Sequence, residues 1–279
     1  MLGPVVPGPE LDGLDRTPSS ACAASMRWAV GVVGRIVDER GQPVAGAFGQ
    51  ICVLVAGGRR ACLPPNTAST TGVFTVVLGE ELRCVDEIGV RVLDPARRRA
   101  TTYEYAPDEA RDGVIYAPAD LVLFDRQPAV DLPPVGEPTA LRTARLADGA
   151  EVTLAPASLS EGTYESLGSR LLTSADAARV AVGAGEVMDA VLVIGPESPV
   201  DDAGASVRIP TSLAAGSRAE ILELGGLYSL LPDGTGAPEG RWRSIAVVDV
   251  AADGSVSSPP GATLGALGWV GVRALANSR

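Results

Sequence analysis

The sequence predicts an all-β protein built as two β-sandwich modules joined by a Pro-rich linker, with an extended N-terminal arm. Three observations carry this. Short Val-, Ile- and Leu-rich runs are separated by turn signals about every 8–12 residues, the spacing of a sandwich. Gly (33) and Pro (22) make up about a fifth of the 279 residues, which fits many turns and short elements. The length suits two domains and a connector better than one, with enough chain in each to bury a core.

In chain order, residues 1–26 hold Pro4, Pro7, Pro9 and Pro18 and no apolar run, so they read as an extended or mobile arm and not as a signal peptide. Residues 27–125 form the first module. Trp28–Asp38 is a Val-rich strand, and Asp38-Glu-Arg-Gly-Gln-Pro43 is a turn. Val44–Val55 resumes the strand pattern with Ile51, Val53 and Val55 on one face. Val73–Leu78 follows the Thr70-Thr71-Gly72 turn, and Ile88–Leu93 leads through Asp94-Pro95 to Thr101–Tyr105. Residues 126–140, with four Pro and no periodicity, read as the linker.

Residues 141–279 form the second module. Leu141–Leu154 is a hairpin turning at Asp148-Gly149. Val187–Ile194, Ala205–Ile209, Ala219–Leu224 and Trp242–Val250 are strands, and Asp253-Gly254 turns into Ser255–Ser257. Leu167–Ala178 reads as one short helix. Trp28, Trp242 and Trp269 adjoin apolar runs and read as packing residues with their N–H groups satisfied.

Composition closes off much chemistry. All 23 basic residues are Arg, against 34 acidic ones, so the net charge is −11 with neither His nor Lys. An acidic field of that size repels phosphate backbones and anionic lipid heads, so no nucleic-acid partner is expected. Without His there is no Ser-His-Asp triad and no imidazole metal ligand. Without Lys there is no Schiff base, Ser-Lys dyad, Walker-type lysine or Lys–Asn isopeptide cross-link. No cofactor is expected, and no run of 18 apolar residues exists to span a membrane.

The four cysteines, Cys22, Cys52, Cys62 and Cys84, lie in the first third of the chain and read as a disulfide framework. A hairpin turning at Gly57 sets Cys52 opposite Cys62, within disulfide reach. Cys22 with Cys84 then ties the N-terminal segment to a later strand. Four free thiols are the alternative, and no C-x₂-C pair supports zinc.

The run Val-Gly-Arg-Ile-Val-Asp-Glu-Arg-Gly-Gln-Pro-Val-Ala-Gly-Ala (33–47), followed by Ala-Ser-Thr-Thr-Gly-Val-Phe-Thr-Val (68–76), resembles the carboxypeptidase regulatory-like domain. Ser69 departs from that family's usual acidic residue. The resemblance implies a transthyretin-like sandwich over 28–125, a setting on exported or surface proteins, and no chemistry of its own. Ile209–Arg218, Arg241-Trp242 and the later Gly268-Trp269 resemble a β-module of multidomain bacterial surface proteins. Leu154-Ala-Pro-Ala-Ser-Leu159 is weakly similar to the opening of ZU5-like domains.

Candidate sites are few. Arg97, Arg98 and Arg99, with Tyr103 and Tyr105 beyond them, form an interaction patch for an acidic partner or glycan if they are not simply a solvated hairpin tip. Asp249 with Asp253, or Asp189 with Asp201 and Asp202, offer oxygen ligands without a D-x-D-x-D-G loop, and turn chemistry suffices for them. Glu186, Glu220 and Glu223 are the carboxylates a hydrolase would draw on. The expectation is a non-catalytic structural or interaction module of the bacterial exterior. It would meet protein partners or itself by strand addition, or through the N-terminal arm. The alternative is a carbohydrate-binding or peptidase-associated accessory module, followed by a carboxylate-based hydrolase.

Overall fold

The computed structural model describes residues 2–55, 59–94, 102–105, 110–117, 119–134, 141–154, 166–177, 187–200, 204–226 and 240–276, with side chains given outside 102–105 and Ser174. The chain is all-β. It divides into one unit of Met1–Asp125 with Val180–Ala184 and Pro238–Gly240, and another of Arg126–Arg179, Gly185–Ala237 and Arg241–Arg279.

The first unit contains β1 (Arg27–Trp28), β2 (Gly31–Asp38), β3 (Phe48–Val55), β4 (Arg59–Cys62), β5 (Asn66–Thr67), β6 (Val73–Val77), β7 (Cys84–Leu93), β8 (Thr102–Tyr105), β9 (Ala110–Arg111), β10 (Val114–Tyr116) and β11 (Leu121–Leu123). One sheet runs β1-β7-β3-β4, with β5 on β3 and β8 on β7. The other centres on β2, which pairs antiparallel with β6 and parallel with β10 and then β11. Ile51, Val53, Ile88 and Val90 of the first sheet meet Val32, Ile36, Val76 and Ile115 of the second in one buried cluster. That shared core makes the unit a sandwich.

Turn chemistry matches the sequence motif. Asp38 Oδ1 accepts the N–H groups of Arg40 (2.9 Å) and Gln42 (2.8 Å), closing the turn after β2. Gly72 stands at φ +76°, and a Cβ there would lie 2.4 Å from the Ile36 carbonyl oxygen, so only glycine fits. Ser69 bonds the Thr71 hydroxyl (2.9 Å) and accepts the Thr71 N–H (3.3 Å), a weaker version of what an acidic side chain does in such a turn.

Residues 2–26 are not a loose arm. Leu11 is fully buried with Val30, Val33 and Val114, and Val5 and Leu14 pack on the same cluster. The Gly8 N–H donates to Thr75 Oγ1 (2.8 Å), and Arg35 donates to the Gly3 carbonyl (2.6 Å). Pro-rich composition favours extended backbone but does not forbid docking; the interspersed apolar residues anchor it. The second face of β2 is thereby covered, which explains its nearly continuous apolar run.

The second unit contains β12 (Val130–Asp131), β13 (Arg142–Arg145), β14 (Glu151–Leu154), β15 (Ser166–Thr173), α1 (Ser174–Ala177), β16 (Ala190–Pro199), β17 (Ala205–Pro210), β18 (Arg218–Leu224), β19 (Trp242–Asp249), β20 (Ser255–Ser257) and β21 (Ala266–Ala274). Its sheets run β12-β15-β16-β21-β18-β19 and β13-β14-β17-β20. Leu192, Ile221 and Val270 of the first pack against Val152, Val207 and Val256 of the second, a second sandwich core.

Two sequence expectations change here. Leu167–Thr173 is strand, not helix: β15 forms a ladder with β16 from Gly168↔Gly195 to Thr173↔Ala190, and the helical turn is confined to Ser174–Ala177. Part of the supposed linker belongs to the second unit. Val130 and Asp131 pair with Leu167 and Ser166, the Gln127 N–H donates to the Ser169 carbonyl (2.8 Å), and Leu132 joins the core. Arg126 lies over Gly168 and Gly195, where a Cβ at Gly195 would meet its Nη1 at 2.4 Å. A two-residue strand has no periodicity to read, which hid it among the prolines.

Trp269 is buried, and the Trp242 ring lies over Gly271. Contrary to expectation, neither indole N–H finds an acceptor among the described residues. The turn expected at Gly57, the ZU5-like stretch beyond Leu154, Glu186, Asp201 and Asp202 lie outside the described residues.

Candidate interaction surface

The β3–β4 hairpin places Cys52 and Cys62 opposite one another, as their spacing predicts, and they are bonded, with Cα atoms 4.0 Å apart. Ile51 and Val53 point into the core, so Cys52 and Gln50 belong to the outer face of the sheet. The register extends across that face. Cys62, Cys52, Gly89 and Tyr105 form one row; Gln50, Arg91 and Tyr103 form the next. Gln50 donates to the Leu63 carbonyl (3.1 Å) and accepts from Arg91 (3.4 Å), which holds Arg91 in place at only 8% exposure. Tyr103 and Tyr105 are placed by backbone register alone, and Arg97, Arg98 and Arg99 lie outside the described residues.

Cys84 opens β7 opposite Trp28, while Cys22 sits in a turn closed by its N–H to the Ser19 carbonyl (3.1 Å). Both are thiols, half-buried and hydrogen-bonded to each other. Burial, and then the neighbouring thiol, push Cys22 up to about 11.

Of the candidate carboxylates, Asp189, Glu220, Glu223 and Asp253 are engaged. Asp189 Oδ2 accepts the Ala274 N–H (2.7 Å). Burial pushes the Glu220 carboxyl up, but the Ser244 hydroxyl and the Arg273 guanidinium outweigh it and leave it below the usual range. Glu223 is buried against Arg243 and accepts the backbone N–H groups of Gly265 (3.3 Å) and Ala266 (3.0 Å). Arg218 stands opposite Asp249 across the β18–β19 pair. Among the described residues no cluster of three or more Cys, Asp or Glu is placed to hold a metal ion. No helix among them is long and apolar enough to cross a membrane.

A charge ladder crosses the outer face of the β13-β14-β17-β20 sheet. Arg145 pairs with Glu151 (3.2 Å), Glu151 with Arg208 (4.0 Å), and Arg208 with Asp253. Asp253 also accepts the hydroxyl and N–H of Ser255 (2.7 and 3.0 Å). Those two bonds, with Arg208 behind them, lower Asp253 to about 2. A depressed carboxyl contributes stability that is full above its unfolded value near ~3.9 and is lost as pH falls through about 2. Asp253→Asn should therefore lower stability at neutral pH and flatten the acid limb between about pH 4 and pH 2, with variant and wild type converging below about pH 2. Acid-unfolding midpoints followed by tryptophan fluorescence test this; an identical acid limb would contradict it.

Sequence reasoning missed the sheet edges. The strands that close sheets are mostly short, two residues in β12 and four in β13. β19 differs: it has eight residues, pairs with β18 alone among the described strands, and leaves Val247 43% exposed. Edge position follows from three-dimensional strand order, which no local pattern carries.

No protein-family model matches the chain, and no curated protein does. Among solved structures it is similar to a streptococcal ancillary pilin, at 9% identity and TM-score 0.25, over 84% of this chain and 50% of that one. It is also similar to a shaft pilin from Lactobacillus rhamnosus GG, at 10% identity and TM-score 0.26, over 86% of this chain and 82% of that one. The chain spans half the length of the ancillary pilin. The functional reading accordingly rests on the chain's own residues.

Proposed function

We propose that the chain is a non-catalytic structural module of an exported or cell-surface bacterial protein, a part of an adhesin, filament or envelope complex. The observation that carries this reading is the Cys52–Cys62 bond across paired strands. Disulfides form and persist in oxidising compartments and are rare in the cytosol. Glu220, Glu223 and Asp253, each tied to an Arg or to backbone N–H groups, support the non-catalytic part. For the first unit we keep the carboxypeptidase regulatory-like reading, supported by the Asp38 turn and by Gly72 under the Ile36 carbonyl. Partners are proteins or further copies of the chain. The eight-residue edge of β19 supports strand addition, because an edge presents unpaired backbone donors and acceptors in a row.

Immunogold labelling of intact producing cells tests the location. Label on the outside is expected, and label confined to the cytosol would contradict the reading. Val247→Lys on β19 should reduce self-association or partner capture at least tenfold by analytical ultracentrifugation at unchanged thermal midpoint. Association equal to wild type would remove β19 from the account.

A further inference from the structure

The second cysteine pair differs from the first in what it joins. Cys52 and Cys62 are 10 residues apart on one hairpin, whereas Cys22 and Cys84 are 84 − 22 = 62 residues apart. Cys84 is fixed: it begins β7 opposite Trp28, and the Ala29 N–H donates to the Arg83 carbonyl (2.9 Å) beside it. The backbone around Cys22 is held by local turns, Cys22 to Ser19 (3.1 Å) and Met26 to Ala23 (2.9 Å). Upstream of it runs the segment that buries Leu11 and lies along β6 through Gly8 and Thr75. Phe74 and Val76 of β6 face the core, so Thr75 and the segment it holds lie on the outer face of the sheet.

We propose that Cys22 and Cys84 are a second disulfide site, which latches the N-terminal segment over β6 and is set by the thiol–disulfide balance around the protein. The inference rests on the exported reading. The chemistry balances with a disulfide oxidant, RSSR: one thiolate attacks RSSR and expels one RSH, and the second cysteine displaces the other as the S–S bond forms. Two S–H protons and two electrons leave with the two RSH molecules. The raised Cys22 thiol leaves little thiolate at neutral pH, so closure quickens as pH rises. In the closed form the segment is pinned over the outer face of β2 and β6; in the open form it lifts and bares Val30, Val33 and Val114.

Cleavage after arginine separates the four cysteines onto four peptides, Thr17–Arg27, Gly41–Arg59, Ala61–Arg83 and Cys84–Arg91. The full chain is equilibrated in buffers of oxidised and reduced glutathione, alkylated and mapped without reduction. In oxidising buffer, Thr17–Arg27 should be found joined to Cys84–Arg91 in most molecules. Hydrogen exchange at Leu11 and Thr75 should then be at least tenfold slower than in the same chain reduced at this pair. Cys22→Ser, Cys84→Ser and the double variant should all exchange alike, at the reduced rate.

Cys22 and Cys84 both alkylated while Gly41–Arg59 stays joined to Ala61–Arg83 would overturn the latch and leave the exported reading standing. A Cys22–Cys84 bond with no slowing of exchange would overturn it equally. All four cysteines alkylated would remove both. Because the wild-type chain serves as its own control in the two buffers, a variant that fails to fold leaves the test intact.

Discussion

Glu223→Leu should destabilise the second unit by roughly 3–5 kcal/mol, the cost of stranding one partner of a buried ion pair. Glu223 is 2% exposed on β18, opposite Val270 on one side and Arg243 on the other. Its two oxygens satisfy Arg243 and the N–H groups of Gly265 and Ala266, where the chain enters β21. Leucine fills the space but leaves a guanidinium and two backbone donors without their acceptor. Glu223→Gln keeps an amide oxygen for Ala266 and should lose distinctly less. Pairing Glu223→Leu with Arg243→Leu should recover part of the loss, since the unpaired charge goes too. Denaturant midpoints at constant slope measure all three; a Glu223→Leu midpoint within about 0.5 kcal/mol of wild type would contradict the account.

Phe74→Ala should cost the first unit about 3–5 kcal/mol. The ring is 1% exposed and lies in the space that two glycines leave, one on each sheet. A Cβ at Gly49 of β3 would stand 2.2 Å from the ring, and one at Gly34 of β2 would stand 2.8 Å from it. Gly49→Ala alone should thus be strongly destabilising by overpacking. In the Phe74→Ala background the same methyl enters a vacated cavity, so its cost should largely disappear. A coupling of about 1–3 kcal/mol in the double-mutant cycle is expected, and additive costs would show that ring and glycines do not share one space.

Local chemistry was legible and non-local pairing was not. The Asp38 turn, Asp148-Gly149 and Asp253-Gly254 each declare themselves, since the first carboxylate caps its own turn and Gly149 and Gly254 take φ of +85° and +78°. The Cys52–Cys62 pair was readable for the same reason: a hairpin closes over 10 residues and opposes its own ends. The parallel pairing of β10 and β11 with β2 joins Val114 to Gly31 and Leu121 to Ile36, and no window of sequence contains both partners. Leu167, Leu171 and Leu172 mimic one helical face, yet the ladder to β16 outweighs that spacing. Glu223 looked like any strand carboxylate, because its burial depends on Arg243 and on a loop more than 40 residues downstream.

The account's central claim is an oxidising, extracytoplasmic home for a disulfide-stapled structural module. Its most direct test is non-reducing peptide mapping of the protein isolated from its native cells, with thiols blocked at lysis. The account predicts Gly41–Arg59 joined to Ala61–Arg83 through Cys52 and Cys62, and a drop of about 2–3 kcal/mol in stability when that bond is reduced. Cys52 and Cys62 both recovered as blocked free thiols would contradict it.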